Sequence, residues 1–238
     1  MPVNSCVVLA GGLGTRLRDA VPSVPKCLAP IASQPFLRWQ LESLAQRGVD
    51  HFVLSLGNGH SQVLEAIQDS WAKKLKIECV IEARALGTGG AIHHAMMQAK
   101  LNEVLVVNGD TFLGGSLDQM FAPLDLQNGE LMRIATVNLQ DRSRFGGVEV
   151  DQENYVINFL EKGRVDAGGI NAGLYRISIN AFSGQFYGSF SIETEVMPKL
   201  VLSRSLQARE LVGPFIDIGV PDDYYLFNQI YQSYVDCK

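Results

Sequence analysis

A short apolar strand that runs directly into a glycine-rich loop constrains this chain more than any other feature. The predicted strand is Ser5–Leu9, and the loop places Gly11, Gly12 and Gly14 immediately after it. Glycine allows backbone angles that side chains forbid, so consecutive N–H groups can turn toward one anion. The pattern therefore predicts a phosphate-binding loop at the carboxyl end of a first strand.

Two basic residues near this loop favour an anionic ligand. Arg16 carries a planar guanidinium that suits phosphate oxygens, and Lys26 adds a point charge. A P-loop requires lysine followed by serine or threonine, whereas Thr15 and Arg16 follow the last glycine here. A dinucleotide fingerprint requires a small residue where Leu17 stands, and Pro22 comes too early for its helix. Glycine spacing alone leaves a ligand-free turn open, and the basic residues decide for an anion.

Strand and helix patterns alternate over the first half of the chain, which predicts an α/β fold. Thr88 is a suitable N-cap for a helix that follows the glycines at 87–90. The other predicted strands of this half are His51–Leu56, Leu75–Ile81, Val104–Asp110 and Leu131–Leu139. Its other predicted helices are Pro35–Arg47, Ser61–Asp69 and Ser116–Leu126. In the second half, the predicted strands are Arg144–Val150, Tyr155–Leu160, Gly168–Arg176, Leu206–Leu211 and Phe215–Pro221. The predicted helices are Phe190–Leu202, with Ser191 as its N-cap, and a helix from about Asp222 to Tyr234.

Composition and charge exclude several classes of protein. The 238 residues are 47% hydrophobic and 19% charged, which suits a well-buried α/β protein. No apolar run approaches the roughly 20 residues that span a bilayer, and no signal-peptide pattern opens the chain, so we expect a cytoplasmic protein. The four scattered cysteines indicate free thiols in a reducing compartment. A net charge of −5 argues against nonspecific nucleic-acid binding, and a polyanionic substrate then requires a local positive site.

The loop LAGGLGTRL…VPK resembles the signature loop of the sugar-1-phosphate nucleotidyltransferases, GGxGTRLxP…PKP. Asp19 stands where the family often has proline, and Cys27 replaces a second proline, but neither change removes a phosphate-contacting group. Further segments match in the family's order between Leu9 and Pro221, namely LGTGGA, VLVVNGD, FGG, FLEK, NAG, FSIE and DIGVP. The resemblance implies a single Rossmann-like α/β domain over residues 1–238 with a mixed, mostly parallel central sheet flanked by helices. Its nucleotide-binding part would cover about 1–115, its sugar-phosphate-binding part about 116–220, and a C-terminal helix about 221–238.

The resemblance also implies roles for individual residues. Nucleotide binding falls to Leu9, Ala10, Gly11, Gly12, Gly14, Thr15, Arg16, Glu82, Gly87 and Thr88. Sugar-phosphate binding falls to Asn108, Gly147, Glu161, Lys162, Asn171 and Glu193. Asp110 and Asp217 would bind Mg²⁺; without the resemblance both would be interpreted as ordinary strand-end aspartates. Arg16 and Lys26 would be catalytic, Arg16 by stabilising the departing pyrophosphate and Lys26 by lying over the reacting phosphates.

Within the family, the short chain, the RLRDAVPSVPK loop and the DIGVPDDYYLF ending resemble the branch that acts on D-glycero-α-D-manno-heptose 1-phosphate. The expected partners are therefore an NTP, with GTP favoured, and a sugar 1-phosphate, and neither a nucleic acid nor a membrane. Self-association through the C-terminal helix stays open. Three alternatives also stay open: a mannose- or glucose-1-phosphate nucleotidyltransferase with another NTP, a cytidylyltransferase acting on a non-sugar phosphate, and a non-catalytic nucleotide-sugar sensor.

Overall fold

The computed structural model describes residues 4–12, 17, 21, 24–184 and 188–235. Gly14, Thr15 and Arg16 of the loop lie outside these residues, as does Cys237. The strands, in chain order, are β1 (Ser5–Leu9), β2 (Pro30–Ile31), β3 (Gln34–Pro35), β4 (His51–Leu56), β5 (Ile77–Ile81), β6 (Glu103–Asn108), β7 (Thr111–Leu113), β8 (Met132–Leu139), β9 (Gly147–Val150), β10 (Val156–Leu160), β11 (Gly168–Ser178), β12 (Leu206–Glu210) and β13 (Phe215–Asp217).

The α-helices flank these strands and mostly fall where the apolar spacing predicts them. They are α1 (Phe36–Gln46), α2 (His60–Ala66), α3 (Gly87–Gln98), α4 (Asp118–Phe121), α5 (Met197–Leu202) and α6 (Pro221–Val235). A π-helical turn at Ile192–Val196 precedes α5, and Ser191 caps it by accepting a hydrogen bond from the Thr194 N–H, as predicted. None of the described helices combines the length and the apolarity that crossing a lipid bilayer requires.

Nine of the described strands form one mixed sheet, which confirms the predicted fold class. The main path runs β10-β9-β11-β6-β1-β4-β5. Strands β6, β1, β4 and β5 are parallel, whereas β11 runs antiparallel to β6, β8 and β9. Strand β8 extends the sheet from the other edge of β11 and pairs in parallel with β12. The carboxyl ends of β1 and β6 therefore meet at the centre of the sheet.

Side chains of β1 alternate between two hydrophobic cores, because successive residues of a strand point to opposite faces. Cys6 and Val8 pack with apolar residues of α1 and α2, and Val7 packs with those of α3 and α5. All three side chains are fully buried. The helices thus cover both faces of the parallel strands, as a sheet of this kind requires.

The predicted helix at Ser116–Leu126 is wrong, since only the single turn of α4 forms there. Pro123 disfavours helical geometry at the residue before it. The carbonyl groups of the interrupted helix instead accept hydrogen bonds from Arg133 on β8, at 2.9 Å for Gln119 and 2.9 Å for Ala122. Buried Glu130 pairs with the same guanidinium at 2.6 Å. A distant arginine therefore replaces the local hydrogen bonds that the sequence pattern predicts.

A second, two-stranded sheet lies beside the main one and carries the DIG segment. Its strands β7 and β13 run antiparallel, with Asp217 opposite Thr111. Phe112 of β7 and Ile216 of β13 pack in a third core with Phe227 of α6. The sequence pattern does not predict β7, because this strand has only three residues and only Gly109 and Asp110 separate it from the end of β6.

Candidate active site

A cavity of about 530 Å³ opens at the carboxyl ends of β1 and β6. This is the edge at which open α/β sheets bind ligands. The lining residues that the sequence predicts as site residues are Leu9, Ala10, Gly11, Gly12, Lys26, Glu82, Gly87, Thr88, Asn108, Asp110 and Glu193. The structure therefore brings together all seven predicted nucleotide-binding residues that it describes and four residues predicted for other roles, namely Lys26, Asn108, Asp110 and Glu193.

Close contact between the ends of β1 and β6 shapes the floor of this cavity. The Gly109 N–H donates a hydrogen bond to the Leu9 carbonyl at 3.1 Å. A Cβ atom at Gly109 would lie 2.5 Å from that same oxygen, so only glycine fits between the two strands. The backbone of the Asn-Gly-Asp turn consequently lies directly against the start of the glycine loop.

Three charged groups meet beside Gly219, and two of them, Lys26 and Asp110, line the cavity. Lys26, in a turn of 3₁₀ helix, forms an ion pair with Asp110 at 3.0 Å between Nζ and Oδ2. Strand β13 brings Asp217 beside this pair, since the Ile218 N–H donates to the Asp110 carbonyl at 2.9 Å. A Cβ atom placed on Gly219 would lie 2.7 Å from Asp217 Oδ1, 2.7 Å from Lys26 Nζ and 3.0 Å from Asp110 Oδ2. The two carboxylates and the ammonium group therefore surround one small volume.

These carboxylates fit a magnesium site in which oxygen atoms of the substrate supply the remaining ligands. Mg²⁺ prefers hard oxygen ligands and is commonly held by one or two carboxylates together with substrate phosphates. Asp110 and Asp217 supply two such carboxylates, and the Asp110 side chain keeps 25% of its surface exposed. Within the described parts of the chain, no group of three or more His, Cys, Asp or Glu residues forms a complete metal site of its own.

Thr88 does not cap helix α3, so that prediction is wrong. The helix begins at Gly87 with Leu86 in the N-cap position. The Thr88 hydroxyl instead accepts a hydrogen bond from the Ile192 N–H at 3.0 Å and donates one to Glu193 Oε2 at 2.6 Å. Tertiary packing has redirected a local capping group toward another element. As a result, one hydrogen bond joins a predicted nucleotide residue to a predicted sugar-phosphate residue.

Glu82 projects from the end of β5 into the same cavity. Its Oε2 accepts a hydrogen bond from the Leu86 N–H at 3.0 Å, and its Oε1 accepts one from the Ser55 hydroxyl at 3.2 Å. A carboxylate oxygen can accept more than one hydrogen bond, so both oxygens keep capacity for a ligand. The loop that precedes α3 is thus oriented by an acidic side chain at the cavity wall.

The remaining predicted sugar-phosphate residues lie outside this cavity lining. Gly147 begins β9, while Glu161 and Lys162 are exposed in the connection between β10 and β11. The Asn171 side chain turns back on its own strand, accepting from the Gly173 N–H at 3.0 Å and donating to the Tyr175 hydroxyl at 3.2 Å. The sugar-phosphate roles that the resemblance implies for these residues stay predictions.

Four lining residues escaped the sequence analysis: Cys27, Ala85, Gly109 and Ala91. Ala91 follows Gly87 by one helical turn, so helical spacing could have identified it. Burial raises the pKa of the Cys27 thiol to about 12. Cys27 is therefore a protonated, apolar wall of the cavity and not a nucleophile.

Known proteins resemble this chain over almost its whole length. A family model described as nucleotidyl transferase matches residues 5–233. The chain is 36% identical to D-glycero-alpha-D-manno-heptose 1-phosphate guanylyltransferase of Campylobacter jejuni over 224 residues, which make up 93% of this chain and 97% of that protein. It is 33% identical to mannose-1-phosphate guanylyltransferase of Mycobacterium tuberculosis, covering 92% of this chain but 62% of that protein.

A solved structure also has a fold similar to that of this chain. The crystal structure of HddC from Yersinia pseudotuberculosis complexed with GMP-PN superimposes with a TM-score of 0.84 at 31% identity. The superposition covers 96% of this chain and 99% of that chain. The likeness therefore extends over both the parallel and the antiparallel parts of the sheet.

Proposed function

Because this chain belongs to the nucleotidyl transferase family, we propose that it transfers GMP from GTP to a sugar 1-phosphate and that the sugar is D-glycero-α-D-manno-heptose. The names of the heptose and mannose relatives both support guanylyl transfer to a sugar 1-phosphate. The heptose relative is matched over nearly its full length, whereas the mannose relative carries a further third, which favours the heptose substrate.

The observation that carries this proposal is the meeting of Lys26, Asp110 and Asp217 beside Gly219, where Lys26 and Asp110 line the cavity. Nucleotidyl transfer depends on neutralising phosphate charge and on aligning two phosphates. A cation beside two carboxylates, in a cavity that Gly11 and Gly12 also line, meets both requirements. An acid or base in the form of a histidine is not required, because the attacking group is already an anionic phosphate oxygen.

In the proposed reaction, an oxygen of the sugar phosphate attacks the α-phosphorus of GTP. A new phosphorus–oxygen bond forms in line with the bond to the β-phosphate, which breaks and releases pyrophosphate. Lys26 holds positive charge over the reacting phosphates, and Arg16 stabilises the charge that collects on the departing pyrophosphate. The Gly11 and Gly12 backbone orients the triphosphate against the end of β1.

Nucleotidyltransferases of this family generally use a divalent metal, and we propose Mg²⁺ here. Asp110 and Asp217 would hold it, and it would supply charge neutralisation at the phosphates when bound. Lys26 then balances the negative charge of the two carboxylates, which would otherwise repel an incoming polyphosphate.

On the sugar side, we propose that Glu161 accepts hydrogen bonds from sugar hydroxyls and that Lys162 orients the sugar phosphate. Glu193 and Asn108 approach the sugar from the cavity, and Gly147 and Asn171 lie on the strands beneath it. The division into a nucleotide part, about 1–115, and a sugar-phosphate part, about 116–220, follows from these roles. The free thiols of Cys6, Cys27 and Cys79 fit the cytoplasm as the site of the reaction.

Pyrophosphate release tests this proposal when it is measured with Mg²⁺ across four NTPs and several sugar 1-phosphates. We expect release with GTP and the manno-configured heptose phosphate. Release with GTP and mannose 1-phosphate alone would correct the sugar, and release with CTP and a phosphorylated alcohol would replace the sugar substrate altogether. Nucleotide binding without any release would establish the sensor alternative.

A further inference from the structure

A buried glutamine on α1 holds the turn that presents Asp110. Gln40 is 3% exposed, and its side-chain nitrogen donates two hydrogen bonds. One goes to the Asn108 carbonyl at 2.8 Å and the other to the Thr111 carbonyl at 2.6 Å. These two carbonyls lie on either side of Gly109 and Asp110, so one side-chain amide holds both ends of the turn.

Core packing alone does not explain a glutamine at this position. Its Oε1 is buried and has no hydrogen-bond partner among the described residues. A buried acceptor without a partner is unfavourable, and an apolar side chain of the same length would avoid that loss. A very small cavity of about 10 Å³ adjoins Gln40, Ser43 and Thr111, which is about the space of one water molecule. The two donated hydrogen bonds are the contribution that an apolar residue could not make.

The same face of α1 also anchors the far end of this segment. Arg47 donates from Nε to the Gly115 carbonyl at 3.1 Å and from Nη1 to the Ser43 carbonyl at 3.0 Å. Residues 40, 43 and 47 follow helical spacing and therefore share one side of the helix. Gln40 contacts the end of the 108–115 segment that belongs to the site, and Arg47 contacts the end that does not.

We propose that Gln40 is a positioning residue that sets the metal-binding geometry of Asp110, and through Thr111 that of Asp217. This inference rests on the proposed metal role of the two aspartates. Thr111 is the register partner of Asp217 in the β7–β13 pair, so a displacement of the Thr111 backbone moves both carboxylates. Fixing the turn before any ligand arrives removes the need to order it during binding.

Gln40→Met tests the proposal, because methionine fills similar space but donates no hydrogen bond. The readouts are Mn²⁺ affinity measured with GTP in the absence of sugar phosphate, hydrogen exchange of the 108–112 amides, and kcat with KM for GTP. We expect Mn²⁺ affinity and kcat each to fall by about 10-fold to 100-fold, as for other residues that orient metal ligands. Exchange at 108–112 should become faster, and KM for GTP should stay within about 2-fold.

Arg47→Met is the matched control, since it removes hydrogen bonds from the same helix face to the other end of the same segment. It should lower the melting temperature without changing Mn²⁺ affinity. Gln40→His, which keeps an N–H donor at similar reach, should recover most of the metal affinity. Gln40→Leu, which also lacks a donor, takes the place of Gln40→Met where that variant fails to fold.

Normal Mn²⁺ affinity and normal exchange in Gln40→Met would overturn the proposal, as would equal losses in Arg47→Met. Inactivity of the wild type across the substrate grid would instead overturn the proposed function. The metal-affinity and exchange measurements would still decide the role of Gln40 in that case.

Discussion

The two proposed substrate sides of this molecule are built differently. On the nucleotide side, Glu82, Lys26 and Asp110 line one cavity and have hydrogen-bond or ion-pair partners at 3.2 Å or less. On the sugar side, Glu161 and Lys162 are exposed in a connection between two strands of the antiparallel part. The described part of the nucleotide side is therefore held by internal contacts, as is Glu193 of the sugar side, whereas Glu161 and Lys162 present their charged groups to solvent.

The difference predicts a division of labour between catalysis and substrate capture. Groups fixed in place before binding can stabilise a transition state without further ordering, so their loss should lower kcat. Exposed groups lose side-chain freedom when they bind, so their contribution should be modest and should fall mainly on KM. The experiments below test that division, beginning with the largest expected effect.

Asp217→Asn should lower kcat by more than about 10³-fold, because an asparagine cannot replace a carboxylate that neutralises a metal ion. The fold should persist, since the asparagine oxygen can still accept the Gly219 N–H, a hydrogen bond of 2.9 Å in this structure. Steady-state pyrophosphate release and a thermal melt measure the two quantities. Asp222→Asn, in the exposed first turn of α6, is the control. Near-normal turnover in Asp217→Asn would remove this residue from the metal site.

Arg16→Ala should lower kcat by about 10²-fold to 10³-fold, the usual effect of removing one group that stabilises a charged transition state. KM for the sugar phosphate should change little. Kinetics with both substrates varied separate the two parameters, and Arg204→Ala, an exposed arginine paired with Asp151, controls for the loss of charge. If only the affinity for the sugar phosphate falls, Arg16 binds the sugar phosphate and does not stabilise the departing pyrophosphate.

Gly109→Ala should destabilise the nucleotide side by about 1–3 kcal/mol and lower activity with it, because the new Cβ would lie 2.5 Å from the Leu9 carbonyl. Gly12→Ala should leave the melting temperature unchanged, since no atom of the described residues, apart from its chain neighbours, lies within 4 Å of its added Cβ. Thermal melts of the two variants make the comparison. Equal stability would mean that β1 and β6 are not held together as tightly as the contact indicates.

Lys162→Ala should raise KM for the sugar phosphate by about 10-fold, the loss of one charge-assisted hydrogen bond, with kcat nearly unchanged. Its melting temperature should equal that of the wild type because the side chain is exposed. Arg164→Ala, two residues away and also exposed, provides the control in the same kinetic assay. A large fall in kcat for Lys162→Ala would break the proposed division between the two sides.

Thiol alkylation, the test for Cys27, should have the smallest effect of all on activity. With a pKa raised to about 12, the Cys27 thiol stays protonated at pH 8, and the thiolate that attacks alkylating reagents forms only near pH 12. We expect iodoacetamide at pH 8 to modify the half-buried Cys79 before Cys27 and to leave activity intact, as peptide mass spectrometry can check. Rapid labelling of Cys27 would show that the nucleotide side opens more readily than its packing indicates.

Local patterns were sufficient for the parallel part of the fold. The apolar runs of β1 and β4 and the Ser191 cap are confirmed, because each depends on residues that are adjacent in sequence or one helical turn apart. The helix at Ser116–Leu126 and the Thr88 cap are wrong for a common reason. In both places a distant side chain or backbone group, from Arg133 or Ile192, takes over the hydrogen bonds that the local pattern assigns.

By itself, the sequence determined where a candidate site lies, since a strand, a glycine loop and a strand-end aspartate imply their position at one edge of a sheet. Only the tertiary structure decided which groups meet there. The β7–β13 pairing brings Asp217 to Asp110 across more than one hundred residues of chain, and Gln40 reaches the same turn from another helix. Such contacts depend on register and helix placement, which follow from the packing of the whole core and leave no local trace in the sequence.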